Sequence, residues 1–197
     1  MAFERRLLPF FNRPRQYGPF IRTTAWYLFG IATWFPVMYF FSSYVGGTAR
    51  INGPSMYPYL NTDYDRKLGR DICYVNKWKP MENLRRGMIV TFWSPSHPEA
   101  EAVKRIVGLE GDKVVTRAPY PLPTCDVPSG HVWVEGDGAH MGKPTLDSNT
   151  YGPVSLSLIT GKVTHVLWPW SSFGPIKWWD FKPKTIVIKS RRREGLQ

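Results

Sequence analysis

At 197 residues the chain has room for one packed domain and a short appendage, and two full domains are excluded. Apolar residues make up 43% and aromatics 15%, which excludes wholesale disorder. The net charge of +11 invites a nucleic-acid reading, but no Lys/Arg run interleaved with aromatics and no zinc-finger spacing supports one, so no nucleic-acid partner is expected. Much of the charge instead sits at the ends. Arg5, Arg6, Arg13, Arg15 and Arg22 precede the most apolar stretch, and Lys182, Lys184, Lys189, Arg191, Arg192 and Arg193 close the chain. Basic ends around an apolar segment fit a membrane protein.

In chain order, the first element is that apolar segment. Residues 25–45 carry no charge, and as a helix they would run roughly 31 Å at about 1.5 Å per residue, close to the hydrocarbon thickness of a bilayer. Trp26, Tyr27, Tyr39 and Tyr44 lie near its ends, where amphipathic rings favour the membrane interface. Pro36 would kink such a helix without abolishing it. A buried core helix and a cleaved secretory signal are the competing readings; an all-round apolar face and the length of the run favour a membrane anchor. By the positive-inside rule the arginines before it stay on the side of insertion and the bulk of the protein crosses, a rule weakened here by Arg50, Arg66 and Lys67.

After Gly47 short apolar runs alternate with Gly, Pro, Asn and Asp. Residues 71–75, 88–93, 102–107, 113–116, 131–135 and 161–168 are expected as strands, with 108–112 as a hairpin link between the third and fourth. Residues 117–130 hold four prolines and suggest a surface loop. No long amphipathic helix is expected after the anchor. The Trp- and Pro-rich stretch 168–197 has no firm assignment. Cys73 and Cys125 match no metal pattern and are expected to be free thiols.

Three segments carry chemistry. Asn52-Gly53-Pro54-Ser55-Met56-Tyr57-Pro58 puts a serine in a tight turn just after the anchor. Such a turn exposes a hydroxyl and aims the Ser55 N–H at the same point, which is what acyl transfer needs; it is equally an ordinary turn. Lys104 lies inside an apolar strand. Making an ordinary lysine neutral near pH 7.4 costs roughly 4 kcal/mol, and burial supplies a shift of that size, whereas a solvent-facing strand lysine would not be shifted. The third segment, Gly136-Asp137-Gly138 followed by residues 145–154, is a polar loop with several hydroxyls. His97, His131, His140 and His165 leave a Ser-His-Asp triad as a rival.

Together and in this order, the three segments resemble the type I signal peptidase family. The resemblance rests on Gly53-Pro54-Ser55-Met56-Tyr57-Pro58, on Val103-Lys104-Arg105-Ile106-Val107-Gly108-Leu109-Glu110-Gly111-Asp112, and on Gly136-Asp137 with Asp147-Ser148-Asn149 and Tyr151-Gly152-Pro153-Val154. His131 to Asp137, Asp147 to Leu158 and Thr164 to Pro169 are similar to its mitochondrial inner-membrane protease branch. The resemblance implies a mainly β, antiparallel catalytic domain over 47–181, after a basic tail over 1–22 and a transmembrane helix over 23–46, and before a basic tail over 182–197. It implies Ser55 as nucleophile, Lys104 as general base and Thr145 as the hydroxyl that holds the lysine amine, with no cofactor or metal. The implied substrates are precursor polypeptides with cleavable sorting signals, bound as extended segments. The implied setting is the inner mitochondrial membrane lipid, with the domain facing the intermembrane space beside a second, related protease subunit as a heterodimer. Departures are Gly53, where bacterial relatives often have an oxyanion-hole serine, Gly138, where an Asn is usual, and Arg86-Gly87-Met88, which lacks the family's acid. A supporting Arg105–Asp147 ion pair is expected. The readings that compete with an anchored Ser-Lys peptidase are a soluble repressor-type autoprotease and a non-catalytic membrane-tethered partner subunit.

Overall fold

The computed structural model describes residues 18–62, 70–142 and 145–188. Most of both basic tails, together with Arg66, Lys67, Lys143 and Pro144, therefore lies outside the described residues. The chain divides into two compact units at Phe40/Phe41.

The first unit contains helix α1 (Gly18–Phe40), which starts earlier than the sequence suggests, takes in Arg22 and runs through Pro36. The run Phe20–Val45 is long and apolar enough to cross a membrane, and none of its most apolar window is buried. Trp26, Phe29, Ile31, Trp34 and Phe35 are all exposed, a pattern that leaves apolar surface all round the helix and suits lipid rather than a protein core.

The second unit opens with a π-helical turn, Phe41–Val45, that leads directly into strand β1 (Gly46–Arg50). Its main sheet adds β2 (Ile72–Asn76), β3 (Ile89–Trp93), β4 (Glu101–Gly108), β7 (His131–Glu135), β8 (Val154–Ser155) and β9 (Ile159–Trp168), in the spatial order β1-β2-β9-β3-β4-β7-β8. Every pairing is antiparallel, and β10 (Gly174–Pro175) adds to β9. A second, three-stranded sheet joins β11 (Val187–Ile188), β5 (Lys113–Val115) and β6 (Thr124–Asp126). The architecture is mainly β and antiparallel, as the resemblance implies.

β3 is buried at four successive residues because it has a core on each side. Alternation sends Ile89 into one core with Ile51, Met56, Leu60, Cys73 and Val75. It sends Val90 and Phe92 into another with Ile106, Val132, Val134 and Val154. A third core, of Val107, Val114, Val127 and Trp133, ties the small sheet to the large one. Cys73 and Cys125 are free thiols. Cys73 is fully enclosed, and burial, with Asp71 adding to it, pushes its thiol up to about 12.

Three expectations change. Residues 108–112 are not a hairpin, because β5 pairs with β6 and β11 rather than with β4. The link is instead organised by Asp112, whose carboxylate accepts the Leu109 N–H at 2.8 Å and pairs with Arg86. The proline-rich stretch 117–130 contains β6 and the buried Val127, so it is only in part a surface loop. The segment after Trp168 is folded through residue 188, with 3₁₀ turns at Trp170–Ser172 and Trp178–Asp180 and the strands β10 and β11.

Candidate active site

The Ser55 turn is hung on the core by its own side chains. Met56 and Leu60 are fully buried, each worth about 1.5–3 kcal/mol of transfer free energy, while Ser55 between them and Gly53 stays half-buried. The Tyr57 N–H donates to Pro54 O at 3.1 Å and the Leu60 N–H to Met56 O at 2.9 Å. Gly53 has φ +80, a left-handed conformation that an L side chain would strain. Among the described residues no backbone carbonyl takes up the Ser55 N–H. Among the described residues that donor is left open for an oxyanion.

Asn61 closes this loop, and nothing in the sequence marked it. It is fully buried with φ 58. Its Nδ2 donates to Gly53 O at 2.8 Å and its backbone N–H donates to Asp71 Oδ2 at 2.8 Å. The two ends of the serine turn are thereby fastened to each other and to the residue preceding β2.

Lys104 stands opposite Val90 in the β3–β4 ladder, on the apolar face that also holds Ile106. It is 5% exposed, and among the described residues no carboxylate comes within ion-pair distance of it. Burial lowers its pKa from 10.5 to about 8, against the weaker upward pull of Asp147 and Asp137. Burial wins because the nearest carboxylates are not in contact with the amine.

The third segment meets the first two at Gly136. Arg105 pairs with Glu135 across the β4–β7 ladder, and one step further along this register lie Lys104 and Gly136. A Cβ on Gly136 would sit 2.6 Å from Ser55 O and 2.9 Å from Thr145 Cγ2. The Gly138 N–H donates to Ser55 O at 2.9 Å. Only glycine lets the serine turn and Thr145 approach the strand end this closely, so Ser55, Lys104 and Thr145 are drawn to one place. The Thr145 hydroxyl donates to Asp147 Oδ2 at 2.9 Å, which leaves its oxygen lone pairs to accept from an amine.

The Asp147-Ser148-Asn149 run is a set of anchors rather than loop polarity. Asp147 caps helix α2 (Ser148–Tyr151), accepting from the Asn149 N–H at 3.0 Å, and also accepts the Gly136 N–H at 3.3 Å. Ser148 Oγ accepts the Val134 N–H at 3.0 Å. Asn149 Nδ2 donates to Glu135 Oε1 at 3.1 Å, and its Oδ1 accepts the Arg117 N–H at 2.8 Å.

The expected Arg105–Asp147 pair is replaced by Arg105–Asp137. Arg105 alternates to the face opposite Lys104, away from Asp147, and is 1% exposed. It grips Asp137 with Nε–Oδ1 at 2.9 Å and Nη2–Oδ2 at 2.6 Å, and its Nη1 donates to Gly87 O at 2.8 Å. The Tyr59 and Phe181 rings lie 4.5 and 4.4 Å from its guanidinium carbon. Arg86, in the segment that departs from the family pattern, holds Asp112 in a two-point contact of 2.9 and 2.7 Å. No histidine bonds Ser55 among the described residues. His131 and His165 make local contacts to Ser129 O and Thr164 Oγ1, and His140 faces Glu135 at 3.7 Å.

A buried amine with a lowered pKa beside a serine turn with an open N–H is the equipment of a serine peptidase that uses an amine base. Sequence comparison places the chain among the peptidases. The family model for signal peptidase, peptidase S26, matches residues 23–120. Mitochondrial inner membrane protease subunit 2 of Schizosaccharomyces pombe is 38% identical over 89% of this chain and 97% of its own length. The chain belongs to the signal peptidase family, peptidase S26. Its relatives include both kinds of subunit: mitochondrial inner membrane protease subunit 1 of Homo sapiens is 39% identical over 66% of this chain and 75% of its own. A solved signal peptidase I from Enterococcus faecalis V583 aligns with 42% of this chain and 98% of its own at 22% identity, with a TM-score of 0.34.

Proposed function

We propose that this chain is a membrane-anchored serine endopeptidase of the mitochondrial inner membrane. In this reading it removes hydrophobic sorting signals from precursors delivered to the intermembrane space, with Ser55 as nucleophile and Lys104 as general base. The observation that carries the reading is Lys104, buried on an apolar face with its pKa lowered to about 8 and set beside the glycine against which Ser55 packs. A sizeable fraction of the amine is then neutral in mildly alkaline solution, where an ordinary lysine is almost wholly charged.

The neutral amine takes the Ser55 hydroxyl proton as the oxygen attacks the scissile carbonyl carbon. The carbonyl oxygen gains the negative charge and meets the Ser55 N–H. The C–N bond then breaks, the lysine ammonium gives its proton to the leaving amine, and an acyl-enzyme remains. Water, deprotonated by the same amine, attacks the ester, and Ser55 Oγ recovers the proton. Thr145, with its hydroxyl donated to Asp147, accepts from the amine and keeps the nitrogen lone pair aimed at Ser55. The substrate lies extended alongside a strand, held by main-chain hydrogen bonds. The domain division proposed is an anchor over 23–46 and a catalytic domain over 47–181, onto which residues 182–188 of the basic tail also fold. The inner-membrane names of its relatives support the location and a heterodimer with a second, related subunit.

The decisive experiment changes only Ser55 to Ala in the full chain and follows precursors in mitochondria and a presequence peptide in detergent. Accumulation of uncleaved precursors and loss of peptide cleavage are expected; processing at the wild-type rate would overturn the assignment.

A further inference from the structure

Glu135 takes part in no step of the proposed reaction, yet it is a carboxylate only 3% exposed. It pairs with Arg105 in the β4–β7 ladder, so its side chain leaves the sheet on the face opposite Lys104. A buried carboxylate needs compensation, and separate segments supply it. Oε1 accepts from Trp133 Nε1 at 3.0 Å and Asn149 Nδ2 at 3.1 Å, and Oε2 accepts from Arg117 Nη2 at 3.0 Å and Thr185 Oγ1 at 2.6 Å. Four donors fill the roughly four lone-pair sites of an ionised carboxylate. One of them comes from the C-terminal segment, which is seated independently by β11 on β5 and by Val187 against the core around Trp133.

Asn149 carries this arrangement round to the candidate site. Its Oδ1 accepts the Arg117 N–H at 2.8 Å, so the amide cannot turn over without setting its oxygen against two carboxylates. Its Nδ2 therefore faces Glu135 and, at 3.2 Å, Asp147 Oδ1. The Asn149 N–H holds the same Asp147 oxygen at 3.0 Å. With Oδ1 fixed twice, Oδ2 is left to Thr145 Oγ1 at 2.9 Å and to the Gly136 N–H at 3.3 Å. Of the two carboxylates whose charge draws the Lys104 pKa upward against burial, Asp147 draws harder.

We propose that Glu135, clamped by Thr185 of the C-terminal segment, is a positioning residue that fixes the Asp147 carboxylate through Asn149 and so sets the direction of the Thr145 hydroxyl. The proposal rests on the peptidase reading above, since only there does that hydroxyl serve a reaction. Glutamine would not replace Glu135: its amide would meet either Trp133 and Asn149 or Arg117 and Thr185, donors in both cases.

The test uses the full chain in detergent with a presequence peptide, and hydrogen exchange read by mass spectrometry. Thr185→Val removes one donor and little volume, and should lower kcat about ten-fold with KM unchanged. Thr185→Ser, which keeps the hydroxyl, should restore kcat, and Glu135→Gln should lower it at least as far as Thr185→Val does. In the Thr185→Val chain the Gly136 and Asn149 amides, both held by Asp147, should exchange about ten-fold faster while those of the β2–β9 ladder are unchanged. In a cycle with Asn149→Ala, Thr185→Val should take nothing further from kcat, because the link is already cut. Unchanged kcat and unchanged exchange at residues 136 and 149, full additivity in the cycle, a rise in KM alone, or equal acceleration throughout the sheet would each overturn the role. Faster exchange at those two amides in a chain whose wild type cleaves no peptide would remove the peptidase reading and leave the coupling from Thr185 to Asp147 standing.

Discussion

Lys104 and Arg105 are neighbours on one strand, both cationic by type and both buried, yet the fold treats them in opposite ways. Arg105 is given a two-point carboxylate, a carbonyl and two aromatic faces. Lys104 is given an apolar wall and no carboxylate within ion-pair distance among the described residues. A guanidinium keeps its proton anywhere in a protein, so burying it demands compensation; an ammonium deprived of compensation sheds its proton instead. Alternation along β4 thus separates a structural cation from the proposed base within a single residue step.

The strongest way to break this contrast is to make the two residues alike. Lys104→Arg keeps the charge and removes the proposed base, and is expected to lower kcat/KM by on the order of 10⁴-fold in a peptide-cleavage assay; substantial activity would mean that residue 104 takes no proton. Asp137→Ala strips Arg105 of its partner and should destabilise the domain by about 3–5 kcal/mol in denaturant titration. Lys104→Met should do the reverse. The fall from 10.5 to about 8 means that the folded chain sheds a proton the unfolded chain retains between those pH values. Stability therefore rises with pH across that window, and the penalty is present in full below about 8. Methionine should relieve about 3 kcal/mol of it at pH 7 and progressively less towards pH 10.5. Gly136→Ala, which drives a methyl into Ser55 O and Thr145, should cost about 10²-fold in kcat by displacing the proposed nucleophile. The mildest test is the pH profile itself: kcat/KM should rise about tenfold per unit on the acid side and level off above a midpoint near pH 8.

The parts of the fold carried by local pattern were legible from the chain. The uncharged run, the alternating strands and the Gly/Pro-bounded serine are short-range signals, and the family resemblance carried by the order of the three segments made Ser55, Lys104 and Thr145 candidates. What escaped depended on partners distant in sequence. Asp137 rather than Asp147 meets Arg105 because strand alternation, not proximity to the serine turn, decides which carboxylate Arg105 sees. β5 leaves β4 for β6 and β11 because Val114 packs with Val107, Val127 and Trp133, a core assembled from separate segments. Asn61 looked like any polar residue in a turn until its amide was found on Gly53 O. The C-terminal stretch had no pattern of its own because its order is borrowed: Phe181 from Arg105, Thr185 from Glu135 and Val187 from β5.

Cys73 gives the molecule a reporter that needs no engineering. Its sulfur is enclosed in the central sheet and holds its proton until about pH 12, so an alkylating reagent reaches a reactive thiolate there only in chains whose β2–β9 ladder has come apart. Cys125, on the small sheet and partly open to solvent, reacts without that rearrangement and serves as the internal reference. The ratio of the two labels, read by mass spectrometry, measures how often the sheet that carries the candidate active site breathes.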